Sequence, residues 1–168
     1  PGMIVLPTHR LLRGTPRFSS AEIIGKLEGS FQCEVVPGGV LDTKARILKI
    51  QELKATAMMA TPTYVLGMAD TARNKMGIDP AALPINKITC AGEPGAGIPS
   101  TKKRMEEAWG AKVYDHAGAT EIGAWSYECA AQPGGMHVNE AFFLVEILIR
   151  FIGEEQKRNF FKKVWNIF

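Results

Sequence analysis

The sequence has few cysteines, no long apolar run and little net charge, and each of these shortages argues against a class of protein. Three cysteines in 168 residues, odd in number and unevenly spaced, argue against a secreted disulfide framework and favour a reduced, cytoplasmic setting. The apolar opening segment, residues 1–6, is too short for a signal-peptide core or a membrane span. A net charge of +3, without a basic stripe interleaved with aromatics in the domain-like part, argues against a nucleic-acid partner.

Three common catalytic motifs are also missing. There is no Gly-x-x-x-x-Gly-Lys-Ser/Thr string, no Gly-x-Ser-x-Gly elbow, and the glycines at 92, 95 and 97 are not spaced as in a dinucleotide fingerprint. Asp115 and His116 are chain neighbours, so on an extended segment their side chains point to opposite faces and cannot form a Ser-His-Asp relay. The sequence therefore argues against P-loop, nicotinamide and serine-hydrolase chemistry.

What is present is the composition of an ordinary enzyme domain, with 46% hydrophobic and 22% charged residues, enough to bury the core of one domain or of a piece of a larger one. Helix-like and strand-like segments alternate, which predicts an α/β fold with mostly parallel strands. In the helix that starts at Asp42 or Thr43, the pattern predicts that Leu48 faces the core and that Arg46 faces water. Helices are predicted over 21–27, from 42 or 43 to about 53, 62–76 and 100–109, and strands over 33–36, 55–60, 87–91 and 112–114.

The stretch from Tyr114 to Gly123 places a turn of small residues, a hydroxyl and a carboxylate after a predicted strand. Glycine allows the backbone to approach a ligand closely, the Thr120 hydroxyl can donate to a phosphate oxygen, and Glu121 can supply an oxygen ligand to magnesium. The alternative is a turn that leads into a capped helix, with Thr120 as the cap and Glu121 as its dipole partner.

A second stretch consists of a predicted strand over 87–91, a tight loop over 92–97 that begins Gly92-Glu93-Pro94, and a helix. Together with Gly118-Ala119-Thr120-Glu121, it resembles the AMP-forming acyl-CoA ligases of the adenylate-forming superfamily. The resemblance covers residues 34–147, including Thr61-Pro62-Thr63-Tyr64. Segments 128–129, 135–140 and 143–147 resemble the phenylacetate-CoA ligase branch in particular.

The resemblance implies part of the large N-terminal domain of an enzyme that joins a carboxylic acid, aryl or similar, to CoA through an acyl-adenylate. ATP, magnesium and CoA would be its cofactor and co-substrates. Ala117 stands where the family usually has a tyrosine that stacks on adenine, and His116 or Tyr114 could replace that tyrosine only in part. The implied catalytic residues are Thr120 and Glu121, with Glu121 on magnesium; Gly92, Glu93, Pro94, Asp115, His116, Ala117 and Gly118 would bind the nucleotide, and Tyr64 and Ala119 would face the acid.

Residues 1–147 are therefore interpreted as a partial adenylation domain. The upstream phosphate loop, a later ribose-binding aspartate and a C-terminal lysine of the family have no counterpart in the sequence, so we expect a fragment that is inactive alone. Residues 148–168 are atypical, rich in aromatic and basic side chains. They are either sequence foreign to the family or an interaction tail, and the second possibility leaves open a non-catalytic nucleotide-binding or protein-interaction module.

Cys129 and His137 are zinc-type ligands that the intervening turn residues could bring together. Two ligands do not make a zinc site, which would need a third from Cys33, Cys90 or His9. The alternative is a buried thiol beside a histidine in a polar contact.

Overall fold

The computed structural model describes residues 36, 38, 41–119 and 122–145. Helices and strands alternate through the first part of this chain, and strands alone follow. The predicted α/β class is confirmed. The elements are α1 (Thr43–Leu53), β1 (Ala57–Ala60), α2 (Pro62–Met76), a short 3-10 helix (Pro80–Ala82), β2 (Lys87–Cys90), α3 (Pro99–Trp109), β3 (Lys112–Ala119), β4 (Gly123–Glu128) and β5 (Met136–Val138).

The five strands are hydrogen-bonded in the order β1–β2–β3–β4–β5 and form a mixed sheet. The chain divides into two compact units after Asp115. In the first unit β1, β2 and residues 112–115 of β3 pair in parallel, because a helix long enough for a crossover connects each strand to the next. In the second unit residues 116–119 of β3, then β4 and β5, pair antiparallel, because short connections cannot return the chain for parallel pairing.

Local sequence signals explain where the helices of the first unit begin and end. The carboxylate of Asp42 accepts a hydrogen bond of 2.8 Å from the Ala45 amide and caps α1. Proline occupies the first position of both α2 and α3, where its missing N–H costs nothing. Gly77 ends α2 with a φ of 65°, in the left-handed region that favours glycine. The predicted helices over 62–76 and 100–109 are therefore confirmed to within one residue.

The core of the first unit lies between the helices and the parallel strands. Trp109 is fully buried, and its indole N–H donates to the Val65 carbonyl at 3.1 Å, so the large ring is buried without an unsatisfied donor. Met68 of α2 and Met105 of α3 are also buried. The main core residues are Ile47, Ile50, Met58, Val65, Met68, Ile88, Met105, Trp109 and Val113.

Two predictions for α1 are wrong. Arg46 is only 7% exposed, whereas Leu48 is 53% exposed. The Arg46 Nε donates to the Gly38 carbonyl at 2.7 Å, and its guanidinium lies 5.0 Å from the ring centroid of Tyr64. A planar guanidinium can be buried where it stacks on an aromatic ring and keeps a hydrogen-bond acceptor, and periodicity alone cannot detect such a partner.

The predicted helix over 21–27, the predicted strand over 33–36 except for Val36, and the tail over 148–168 lie outside the described residues. In the portion that is described, no helix is both long and apolar enough to cross a membrane.

Candidate functional site

The predicted adenine loop of the first unit, residues 92–97, follows the carboxyl end of strand β2. Thr61 directly follows the neighbouring strand β1, and Asp115 lies opposite Cys90 in the register of β2 and β3. Three chain segments therefore meet at one end of the parallel strands. In open α/β sheets, ligands bind outside the carboxyl ends of the strands.

The carboxylate of Glu93 is bound by the start of α2. Its Oε1 accepts hydrogen bonds from the Thr63 hydroxyl at 2.5 Å and from the Thr63 amide at 2.6 Å. These two bonds, the hydroxyl first, lower the pKa of Glu93 below its usual range, and the Thr61 side chain adds to the effect. Glu93 is therefore a charged cap for a helix whose preceding residue makes no side-chain cap of its own. The sequence resemblance implies that Glu93 binds the nucleotide, and it does not predict this contact with Thr63.

Two glycines bring the loop backbone against its neighbours. A β-carbon added at Gly95 would lie 2.4 Å from the Pro62 Cβ, and one at Gly97 would lie 2.7 Å from the Asp115 Oδ2. Real β-carbons essentially never approach other heavy atoms this closely, so Gly95 is needed for its packing on the rigid Pro62 ring, whereas at Gly97 the flexible Asp115 side chain could move aside. The loop is thereby fixed against the first turn of α2 and against β3.

Tyr64 lies in the first turn of α2, one residue after the threonine that binds Glu93. Its hydroxyl is 3.1 Å from the Thr43 hydroxyl, and the Arg46 guanidinium covers its ring. The predicted acid-facing residue is half-buried and is held by α1 on one side. Because Thr63 joins α2 to the 92–97 loop, the structure places Tyr64 and Glu93 at the same helix start.

Cys90 ends β2 immediately before the loop, and it is fully buried. Burial, followed by the negative charges of Asp115 and Glu93, raises the pKa of Cys90 to about 12. Its Sγ lies 4.0 Å from the Met105 Sδ. The thiol therefore stays neutral at physiological pH and is a core group, since only a thiolate is an effective nucleophile or metal ligand.

In the second unit, residues 116–119 form a strand where the sequence analysis predicted a turn of small residues. The pairing with β4 is irregular between Ala117 and Gly118. A β-carbon at Gly118 would lie 2.9 Å from the Gly123 carbonyl oxygen, so this glycine is needed for the close approach of β4. His116 and Ala117 are half-buried, whereas Gly118 and Ala119 are exposed.

Thr120 and Glu121, the predicted phosphate and magnesium residues, lie outside the described residues. The segments on either side of them are defined. Ala119 pairs with Gly123 across the antiparallel strands, and the Ile122 amide donates to the Ala119 carbonyl at 3.2 Å. The alternative that this motif leads into a capped helix is wrong, because strand β4 begins at Gly123.

The zinc prediction for Cys129 and His137 stays a prediction. His137 is exposed on β5 and contacts the Tyr127 ring at 5.4 Å between centroids. No group of three potential metal ligands occurs among the residues that can be described. Of the further ligands considered, Cys90 is a buried neutral thiol, and Cys33 and His9 fall in the undescribed part.

A shallow recess between α2 and α3 contains none of the predicted site residues. It is lined mainly by charged side chains, namely Asp70, Arg73, Arg104 and Glu107, together with Leu66, Ala69 and Ala108. The 92–97 loop is therefore the better candidate site of the first unit, because predicted residues and a fixed backbone coincide there.

Comparison with known proteins agrees with the resemblance described above. No protein-family model matches the chain. A phenylacetate-coenzyme A ligase from Thermus thermophilus is 29% identical over 121 residues, which are 71% of this chain and 26% of that protein. A second one, from Pseudomonas putida, is 27% identical over 124 residues, covering 73% of this chain and 28% of that protein. The chain thus spans about a quarter of the length of the curated relatives it matches.

Solved structures show the same fold. A 2-hydroxyisobutyryl-CoA ligase in complex with 2-HIB-AMP and CoA matches with a TM-score of 0.69 and 26% identity, over 81% of this chain and 28% of that one. A benzoate CoA ligase from Burkholderia xenovorans matches with a TM-score of 0.57 over 77% of this chain and 25% of that one. At 17% identity, this second likeness supports the fold alone.

Proposed function

We propose that this chain, a partial relative of the acyl-CoA ligases of the adenylate-forming superfamily, supplies part of the nucleotide-binding and acid-binding surface of an AMP-forming carboxylate-CoA ligase. The carrying observation is the 92–97 loop, which packing and the Glu93 cap fix at the carboxyl ends of the parallel strands. A preformed backbone surface at that edge suits a nucleotide, because ligands bind there in open α/β sheets. The solved relative that carries an acyl-adenylate and CoA supports the same proposal.

In the proposed reaction, a carboxylate oxygen of the acid attacks the α-phosphorus of ATP. The bond from that phosphorus to the β-phosphate bridging oxygen breaks, and pyrophosphate leaves. The CoA sulfur then attacks the acyl carbon, the acyl C–O bond of the mixed anhydride breaks, AMP leaves with its electron pair, and the thiol loses its proton. The first step brings two anions together, so it needs oriented donors and cations at the phosphate.

The residues proposed for that task are Thr120 and Glu121. The Thr120 hydroxyl would donate to a phosphate oxygen, and the Glu121 carboxylate would hold magnesium, which neutralises phosphate charge when it is bound. The support from the second unit is that Ala119 and Gly123, the described residues near these two positions, pair directly with each other.

The acid would bind beside Tyr64, and we propose an aryl or similar carboxylic acid. The support is that the Tyr64 ring is held by Thr43 and Arg46, so it can present a fixed aromatic surface to an apolar acid. The two curated relatives are named for phenylacetate. We also propose a cytoplasmic setting, where ATP and CoA are available.

Because the chain spans about a quarter of its curated relatives, we expect it to form no acyl-CoA by itself. Its affinity for ATP or AMP should be in the high micromolar range or weaker, since each missing hydrogen bond to a charged group costs about 1.5–3 kcal/mol. Exchange of pyrophosphate into ATP, stimulated by phenylacetate, would contradict this expectation.

The experiment for the metal role is Glu121→Gln, which keeps the shape of the side chain and removes its charge. ATP binding should weaken in the presence of magnesium and stay unchanged with a chelator, because the carboxylate acts only through the cation. Glu140→Gln is the matched control, since Glu140 is an exposed carboxylate of the same unit. Equal losses in both conditions, or a loss of thermal stability alone, would reject the role of Glu121.

A further inference from the structure

We infer that Glu93 is a positioning residue that fastens the 92–97 loop to the start of α2, and that the nucleotide meets the backbone of this loop and not the Glu93 carboxylate. The part of this inference that concerns nucleotide binding rests on the proposed function. It names the role of the one ionisable side chain in the loop and predicts which substitutions have the same effect.

The first amide of α2 requires a hydrogen-bond acceptor, and Glu93 supplies it. The first amides of a helix have no partner within the helix, Pro62 has no amide, and Thr61 makes no side-chain cap. Thr63 is therefore the first residue of α2 with an N–H to satisfy, and both its N–H and its hydroxyl donate to Glu93 Oε1. Hydrogen bonds to an ionised acceptor are roughly twice as strong as neutral ones.

The partner comes from 30 positions away in the sequence, so this cap is a tertiary contact that connects two loops at the edge of the sheet. Gly95 packs directly on Pro62, close enough that no β-carbon fits between them. One loop is thus attached to one helix turn by a charged contact and by an apolar contact, on either side of Pro94.

Both hydrogen bonds from Thr63 end on the Oε1 atom of Glu93, which therefore faces the start of α2. An oxygen that accepts two short hydrogen bonds from Thr63 is not available to recognise a base. What the loop can offer a nucleotide is its backbone, together with the exposed Gly92 and Pro94. Gly92 has a φ of 90°, a conformation that other residues rarely adopt, and this agrees with a loop whose backbone path matters.

The test is a double-mutant cycle of Glu93→Ala and Thr63→Val, in which unfolding by denaturant and AMP binding are both measured. Glu93→Ala should raise the unfolding equilibrium constant about fivefold, the typical effect of losing a helix cap, and Thr63→Val should raise it by less, because the Thr63 amide can still donate to Glu93. The double variant should be little worse than Glu93→Ala, because the Thr63 hydroxyl has no carboxylate left to bind once residue 93 is alanine. Glu93→Gln should restore part of the stability, since its amide oxygen can still accept.

AMP affinity separates a positioning role from a purely structural one. Glu93→Ala should weaken AMP binding, Thr63→Val should weaken it to a smaller extent because one of the two hydrogen bonds is kept, and Glu93→Gln should restore it in part. The control is Thr71→Val, which removes a hydroxyl from the same helix where it bonds only to the Gly67 carbonyl, and it should leave AMP affinity unchanged. A loss of AMP affinity in Glu93→Ala with none in Thr63→Val, and additive effects on unfolding, would show direct nucleotide contact and overturn the inference.

Amide hydrogen exchange in the unmutated chain tests the cap at Thr63 without any substitution, and so does not depend on whether a variant folds. Ser100 follows Pro99 at the start of α3 as Thr63 follows Pro62, and α3 also lacks a side-chain cap from its preceding residue. The Thr63 amide should exchange at least about tenfold more slowly than the Ser100 amide after correction for intrinsic rates. Equal exchange would overturn the inference. Slow Thr63 exchange in a chain that binds no AMP would instead refute the proposed function and leave the cap intact.

Discussion

Replacing Gly95 by alanine tests whether the loop really packs on α2. The new β-carbon would lie 2.4 Å from the Pro62 Cβ and 2.6 Å from its Cγ. A proline ring cannot rotate away, so either the loop or the start of the helix must move. Such overpacking costs about 1–3 kcal/mol, and the midpoint of thermal unfolding should fall by about 2–12 °C in a chain of this length.

Gly67→Ala is the matched control, because it is the same substitution within α2 itself. No atom lies within 4 Å of a β-carbon at Gly67, and alanine is the better helix former by about 0.5–1 kcal/mol. The control should therefore raise the midpoint by about 1–4 °C. Calorimetry or circular dichroism on both variants measures the two shifts. A Gly95→Ala chain as stable as the unmutated one would refute the packing on which the fixed loop depends.

Three further predictions concern charge and burial. Arg46→Met should destabilise the first unit by about 1–3 kcal/mol in denaturant titrations, because it removes a buried hydrogen bond and a cation–π contact. The control is Lys44→Ala, on the exposed side of the same helix, which should change the stability by less than about 0.5 kcal/mol. Because the pKa of Glu93 is lowered, its contribution to stability is fully present above the ordinary carboxyl pKa of 4.5 and is lost as the pH falls through the folded value. Glu93→Gln should therefore flatten the acidic part of the profile of stability against pH. An unchanged profile would contradict the cap. At pH 8, iodoacetamide should alkylate the half-buried Cys129 well before the buried Cys90, which peptide mapping by mass spectrometry measures. Early labelling of Cys90 would contradict its burial.

The helices of the first unit could be predicted because their signals are local. Proline at the first position and glycine after the last one delimit α2. The burial of Arg46 could not be predicted, since its aromatic partner is on another helix. The Glu93 cap could not be predicted either, because its donor lies 30 residues earlier in the sequence and no local pattern indicates the partner of a carboxylate in a loop.

The site could be predicted in part, through the resemblance of its motifs. That resemblance directed attention to the loop that begins Gly92-Glu93-Pro94, and the structure fixes this loop at the carboxyl ends of the strands. The local conformation of residues 116–119 was not predicted, because small residues there suggested a turn. Gly118 is small for another reason, namely the close approach of the neighbouring strand, and a single sequence cannot separate these two causes.

The central proposal is that the backbone of the 92–97 loop forms part of an adenylate-binding surface. The most direct measurement is a titration of the isotopically labelled chain with a non-hydrolysable acyl-AMP analogue, followed by backbone amide chemical shifts. We predict saturable shifts in this loop, with none around Asp70 and Arg104 in the recess between α2 and α3. Shifts confined to that recess, or no saturable shift at millimolar analogue, would contradict the claim.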